Sequence, residues 1–239
     1  MRTRARAIIE DAVRATTFND KSAESRREDA VVGYDDAQTR SLVAERYSII
    51  CGPSNCGKTN VLISLLESPH GLRFENVYVY SKSLQQPKYR YLEELLTPIE
   101  DIGYFTFSNN VDVIPPSEAL PNLIFVFDDV ACDKQDTIRE YFAMGRHSNV
   151  DCFYLCQTYA KIPKHLIRYN ANLLVLFKQD GNNLRHVYND HVNTDMSYED
   201  FHALCRACWQ RKYGFVVIDK DSALRNGRYR RGFNDFAVP

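Results

Sequence analysis

No apolar run in this sequence approaches the roughly 20 residues that a membrane-crossing helix needs. No membrane partner is expected. The opening MRTRARAIIEDAVRA is basic, but no apolar stretch follows it, so it does not read as a secretory signal. Glu10 and Asp11 argue against a transit peptide, a class poor in acids. The protein is therefore expected not to be secreted. An excess of charge is missing too: 30 Lys and Arg stand against 31 Asp and Glu, a net charge of −1 over 239 residues. That excludes a protein that coats nucleic acid by bulk charge, though not one with a local basic patch. The cysteines (51, 56, 132, 152, 156, 205 and 208) are odd in number, and several sit in apolar runs. A disulfide framework is not expected, and a reducing compartment fits. Metal-ligand pairs are scarce. His202, Cys205 and Cys208 have ligand-like spacing, but no second close pair completes a zinc set. Tyr198, Phe201, Leu204, Cys205, Cys208 and Trp209 share one helical face, so these cysteines are expected in a core. Internal repeats and low-complexity tracts are absent as well.

What is present is ordinary globular material, 44% hydrophobic and 26% charged, enough for one α/β domain with a real core. Residues 1–40 stand apart as a charged leader of alternating Arg and acid, read as a solvated segment or as an arm. Residues 41–239 are read as one domain. RYSIIC is a short apolar strand ending in a glycine turn, and VLISLLES after it has helical spacing. Strand-like runs VYVYS (77–81), GYFTF (103–107), LIFVFDD (123–129), VDCFYLCQ (150–157), LLVLFK (173–178) and YGFVVID (213–219) follow. Helix-like KYRYLEELL (88–96) and TIREYFAMG (137–145) alternate with them. This order predicts a mostly parallel sheet with helices on both faces. LIFVF and LLVLF show no alternation, as expected of central strands buried on both sides.

GPSNCGKT, residues 52–59, matches G-x-x-x-x-G-K-[ST] at every required position, between an apolar strand and a helix. Gly52 and Gly57 allow backbone angles that a Cβ forbids. The loop Gly52-Pro53-Ser54-Asn55-Cys56-Gly57 turns its amides inward as an anion nest, and Lys58, Thr59 and Asn60 open the helix behind it. Lys58 suits the β and γ phosphates of ATP, and Thr59 suits Mg²⁺. Cys56 reads as a small filler.

LIFVFDD ends in two acids at the carboxyl edge of a strand, where α/β sheets bind ligands. Asp128 is the candidate second ligand of Mg²⁺, through water. Asp129 either orients or deprotonates an attacking water, or caps the segment after it. Gln157, at the end of the next strand, either senses the γ-phosphate or bonds loop backbone. Arg146, in the polar loop GRHSN, is either a surface residue or an arginine finger toward a neighbouring subunit. The D-K-x-D of Asp133–Asp136 looks like a guanine-reading motif but lies four residues past Asp129, too early in the chain, so a GTPase is rejected. A P-loop nucleoside or nucleotide kinase is the alternative reading; Asp129 and Gln157 favour hydrolysis over transfer.

Taken together, GPSNCGKT, LIFVFDDV, GRHSNVDCFYLCQTYAKIPK and IRYNANLLVLFKQ resemble the FtsK–HerA superfamily of P-loop ATPases. Within it the sequence is most similar to the genome-packaging ATPases of poxviruses, virophages and Polinton-type elements. The resemblance runs from about Arg46 to the C-terminus and also covers LRHVYNDHVNTDMSYEDFHALC and YGFVVID. It implies a three-layer, additional-strand RecA-like fold and a homo-oligomeric ring, hexamer or pentamer. It also implies ATP-driven movement of double-stranded DNA, without sequence preference, into a capsid. The implied partners are the DNA and a capsid vertex or procapsid protein; the implied place is the host cytoplasm or nucleus at the assembly site, or the virion. By the same match Gln157 is the polar residue ending the fourth core strand and Arg146 the arginine acting in trans. Asp129 departs from the Glu of cellular relatives. The cluster Arg206, Arg211, Lys212, Lys220, Arg225, Arg228, Arg230 and Arg231 reads as a phosphate-tracking surface, or else as a solvated tail or subunit contact.

Overall fold

A computed structural model describes residues 46–68, 72–144 and 149–237. The leader, residues 1–40, and Arg146 lie outside the described residues.

Among the described residues nine strands form one sheet in the order β3-β2-β4-β5-β1-β6-β7-β8-β9. The first six are β1 (Tyr47–Cys51), β2 (Asn76–Ser81), β3 (Gly103–Phe107), β4 (Leu123–Asp128), β5 (Val150–Cys156) and β6 (Leu173–Leu176). These six run parallel. An antiparallel extension follows: β7 (Val216–Asp219), β8 (Tyr229–Arg231) and β9 (Asp235–Phe236). β1 stands between β5 and β6, with Cys51 beside both Cys156 and Leu176.

Alternate residues of each central strand feed two separate cores. One face takes Ile50, Val77, Val79, Ile124, Val126, Phe153 and Leu155, covered by α1 (Lys58–Glu67) and α2 (Pro87–Leu96). Helix α1 turns Val61, Leu62, Leu65 and Leu66 inward, and α2 turns Tyr89, Leu92, Leu95 and Leu96, each a helical stripe. The other face takes Tyr47, Tyr78, Phe125, Phe127 and Tyr154 under α3 (Asp136–Met144), α4 (Gly181–Val187) and α5 (Tyr198–Cys208). Burial on both faces is why these strands read as unbroken apolar runs. The three-layer architecture is the one expected. Cys205 and Cys208 are buried against Phe201 on the inner face of α5, as the helical pattern required.

The C-terminal basic cluster corrects the sequence reading. Arg230 is only 1% exposed; its Nη2 lies 3.3 Å from Asp219 Oδ2. Asp219, fully buried, also meets Arg46 Nη1 at 3.0 Å. This Arg–Asp–Arg knot ties β7 and β8 to the start of β1. Arg228 is spent on Asp195 at 2.9 Å, where the Tyr229 hydroxyl also donates, at 2.7 Å. Arg230 is taken by a buried acid, which needs a partner, and the partly exposed Arg228 is paired with Asp195. The residues that stay exposed are Arg206, Arg211, Lys212, Arg225 and Arg231.

Candidate nucleotide site

The segment 52–57 leaves the carboxyl end of β1 as a tight loop. Gly52 is buried, and a Cβ there would stand 2.6 Å from Phe177 Cβ and 2.7 Å from Cys56 Sγ, so no larger residue fits. Gly57, at φ 107°, is the turn into α1, a conformation that glycine reaches without steric cost. Asn55 is also left-handed, at φ 61°. Pro53, Ser54 and Asn55 are exposed, and Cys56, Thr59 and Asn60 are half-exposed. The Lys58 ammonium folds back over the loop and donates to the carbonyls of Gly52 (2.9 Å) and Pro53 (3.0 Å). The loop is thus a shallow cradle with a lysine at its mouth, at the amino end of a ten-residue helix. Its shape and charge suit a polyphosphate. Burial raises the Cys56 thiol above its usual range and the Lys58 charge only partly opposes this, which suits a filler rather than a nucleophile.

Strand β4 delivers two acids to the same edge with opposite surroundings. Asp128 is 8% exposed, and burial pushes its carboxyl above the usual carboxylate range. The Tyr89 hydroxyl, which donates to Asp128 Oδ2 at 2.5 Å, and the Lys58 charge pull it back down. Asp129 is exposed and sits at φ 56°, a left-handed conformation that Asp tolerates better than most residues. Its N–H donates to Leu155 O on β5 at 3.2 Å, which fixes the turn and aims the carboxylate along the sheet edge. Gln157 Nε2 stands 3.5 Å from both oxygens of Asp129. The structure therefore gathers Lys58, Asp128, Asp129 and Gln157 at the carboxyl edge of β1, β4 and β5. A buried acid beside an exposed one can divide two tasks, cation binding and water activation. Thr59 and Asp128 are the oxygen donors that would hold Mg²⁺; the cation would supply charge for the phosphate oxygens.

Two residues of this site escape sequence reasoning. Tyr89 is 2% exposed, and its hydroxyl pKa is driven far up, first by burial and then by the Asp128 charge. Its place in a helix-like stretch was legible, and a buried tyrosine hydroxyl needs a partner. That the partner lies 39 residues away on β4 was not. Lys88, next to it, is half-buried; burial lowers its ammonium pKa, and the Lys58 and Asp128 charges act on it in opposite directions. It is a second cation near the cradle.

Other sequence candidates go elsewhere. Asp133 accepts from Tyr80 Oη at 2.6 Å and pairs with Lys82; Gln135 Nε2 closes the same loop on Val130 O at 2.7 Å. The D-K-x-D segment is thus a brace for the turn after Asp129. Arg168, the alternative to Arg146 as an arginine acting in trans, is 7% exposed and bound to Asp190 at 2.8 Å, over the Tyr159 ring. It is spent internally and is not free to act as a finger.

Comparisons agree with this geometry. The model of the Poxvirus A32 protein family matches residues 35–231. No curated protein sequence matches the chain. Among solved structures the chain is similar to the genome packaging NTPase B204 from Sulfolobus turreted icosahedral virus 2. The complex of that enzyme with AMP is 10% identical, with a TM-score of 0.51 over 74% of this chain and 94% of that one. Its sulfate complex gives 13% and 0.52, over 74% and 92%. Its complex with ATP-gammaS gives 10% and 0.51, over 74% and 93%. At so low an identity the superposition shows a shared fold alone, the RecA-like one. The family match spans well over half of the sequence, including the cradle and both acids, and it bears out the resemblance to poxvirus packaging ATPases. The chain belongs to the Poxvirus A32 protein family.

Proposed function

We propose that this protein is a genome-packaging motor: it binds ATP with Mg²⁺ at the 52–59 cradle, hydrolyses it, and uses the cycle to drive double-stranded DNA into a capsid. The observation that carries hydrolysis is the Asp129–Gln157 pair, an exposed carboxylate and an amide side by side where a γ-phosphate would end. Lys58 compensates phosphate charge, and Thr59 with Asp128 holds the cation. Tyr89 positions Asp128 and keeps it an acceptor. Asp129 takes the proton of the attacking water, and Gln157 holds that water in line. A kinase would need an acceptor pocket where this pair stands.

The packaging role is supported by the family and by the B204 relatives, which are named as genome packaging NTPases. The partners are duplex DNA, other copies of this chain in a hexameric or pentameric ring, and a capsid vertex or procapsid protein. The working place is the viral assembly site in host cytoplasm or nucleus, or the virion. Arg146 completes a neighbour's site. Phosphate release measured with and without duplex DNA tests the reading. Stimulated release that disappears in Lys58→Ala is expected. Phosphate transfer to nucleosides without release to water would overturn it.

A further inference from the structure

The phosphate end of the site is fixed by Asp128 and Gln157, on the β4 and β5 side of β1. A nucleotide held there must leave the loop on the opposite side, over β6. Two aromatic rings stand on that side. A Cβ placed on Gly57 would meet Phe177 Cε1 at 3.6 Å and Tyr213 Cδ1 at 4.0 Å. Phe177 is 2% exposed and packs onto Phe215 with centroids 5.3 Å apart, so it is the floor. Tyr213 is 39% exposed, a large ring left open at the edge of the cradle.

Its position is built. Trp209 Nε1 donates to Leu176 O at 2.9 Å, pinning the end of α5 to the carboxyl end of β6. The chain then turns sharply: Gly214 N donates to Arg211 O at 3.0 Å, and a Cβ on Gly214 would lie 2.2 Å from the Cys208 carbonyl oxygen. Val216 pairs with Leu176 directly afterwards. Tyr213 is thereby held at φ 62°, a left-handed conformation that costs a bulky residue energy and that Asn or Gly would adopt more easily. An exposed tyrosine held against that cost is a feature to explain by ligand contact. The Lys212 ammonium lies 4.8 Å from the ring centroid, so one face of the ring already carries a cation.

We propose that Tyr213 is the platform on which the base of the bound nucleotide stacks, opposite Lys212, with the ribose crossing Gly57. The proposal rests on the nucleotide reading of the cradle and adds the base to it. Stacking reads a π-face, so the platform favours a nucleobase of either purine type over a bare polyphosphate.

The test is equilibrium binding of two probes, ATP and inorganic tripolyphosphate, each with Mg²⁺, to the full chain. Tyr213→Asn removes the ring while suiting the backbone, so it should fold at least as well as the parent; Tyr213→Phe keeps the ring. Expected is a loss of about tenfold or more in ATP affinity for Tyr213→Asn, unchanged tripolyphosphate affinity, and near-parental ATP affinity for Tyr213→Phe. Unchanged ATP affinity in Tyr213→Asn overturns the platform, as does an equal loss for both probes, which would make Tyr213 a prop for the loop. Lys58→Ala separates the two readings: it should weaken both probes. If it binds both as the parent does, the nucleotide reading falls and the platform with it.

Discussion

The Tyr89 hydroxyl donates to Asp128 Oδ2 at 2.5 Å, joining α2 to the buried acid that ends β4. The bond matters because Asp128 is buried. Burial favours the neutral carboxyl, and only the ionised form is a good ligand for Mg²⁺. The Tyr89 hydrogen bond is the strongest of the influences that pull its pKa back down.

Tyr89→Phe keeps the ring and its packing and removes that bond. The Asp128 pKa, already raised in the folded protein, should rise further. The ionised acid is then present only at higher pH, so the acid limb of the kcat/KM profile should move upward. The Mg²⁺ concentration for half-maximal rate at neutral pH should rise about tenfold, the order expected for a hydrogen bond to a charged group. Superimposable pH and Mg²⁺ titrations of parent and variant would remove Tyr89 from the site.

Asp129→Asn is the cleanest change at the second acid. Asn tolerates the left-handed angle of that position, so the turn should persist. ATP–Mg²⁺ binding should persist too, since Asp128 and Lys58 are untouched. Hydrolysis should fall at least ~100-fold, the usual worth of a positioned base. Parental turnover in single-turnover assays would show that Asp129 only shapes the turn.

The C-terminal arginines separate stability from DNA binding. Arg230→Ala leaves Asp219 short of a partner in the core and should cost about 3–5 kcal/mol in denaturant unfolding. Replacing the exposed Arg206, Arg211 and Arg225 together with Ala should leave unfolding almost unchanged but flatten the salt dependence of duplex binding. A parental salt slope in the triple variant would place DNA on another surface.

The sequence announced the parallel core because its strands are buried on both faces and its cradle motif is local. Asp128, Asp129 and Gln157 sit at or just past a strand's carboxyl end and Lys58 follows the cradle that leaves β1, so strand and motif recognition brought them to one edge. Tyr89, Lys88 and Tyr213 arrive by tertiary packing of a helix or a turn, which no local pattern encodes. The small strands β8 and β9 were hidden for a related reason. Arg230 and Arg228 look like solvent-facing charge until Asp219 and Asp195, 11 and 33 residues away, are seen to take them.

Arg146 gives the prediction with the widest consequence. In the sequence it falls between Met144, the end of α3, and Val150, the start of β5. The cradle and Gln157 stand at the other end of the sheet, a whole strand of seven residues away, about 20 Å at the usual rise. The role expected of Arg146 is therefore toward the cradle of a neighbour stacked edge against edge in a ring. Within one chain Lys58 and a bound cation would meet the ground-state charge, and Arg168, held by Asp190, is not available for the charge that grows on the transferring group. A guanidinium supplied in trans is worth about 10³–10⁵ in rate in other phosphoryl-transfer systems. Arg146→Ala should therefore keep the fold and ATP affinity and lose most turnover. Mixing it with Lys58→Ala creates interfaces that pair an intact cradle with an intact arginine, and part of the activity should return. Native mass spectrometry would establish that the two variants share rings. Mixed rings that stay inactive would show that Arg146 is not the trans group.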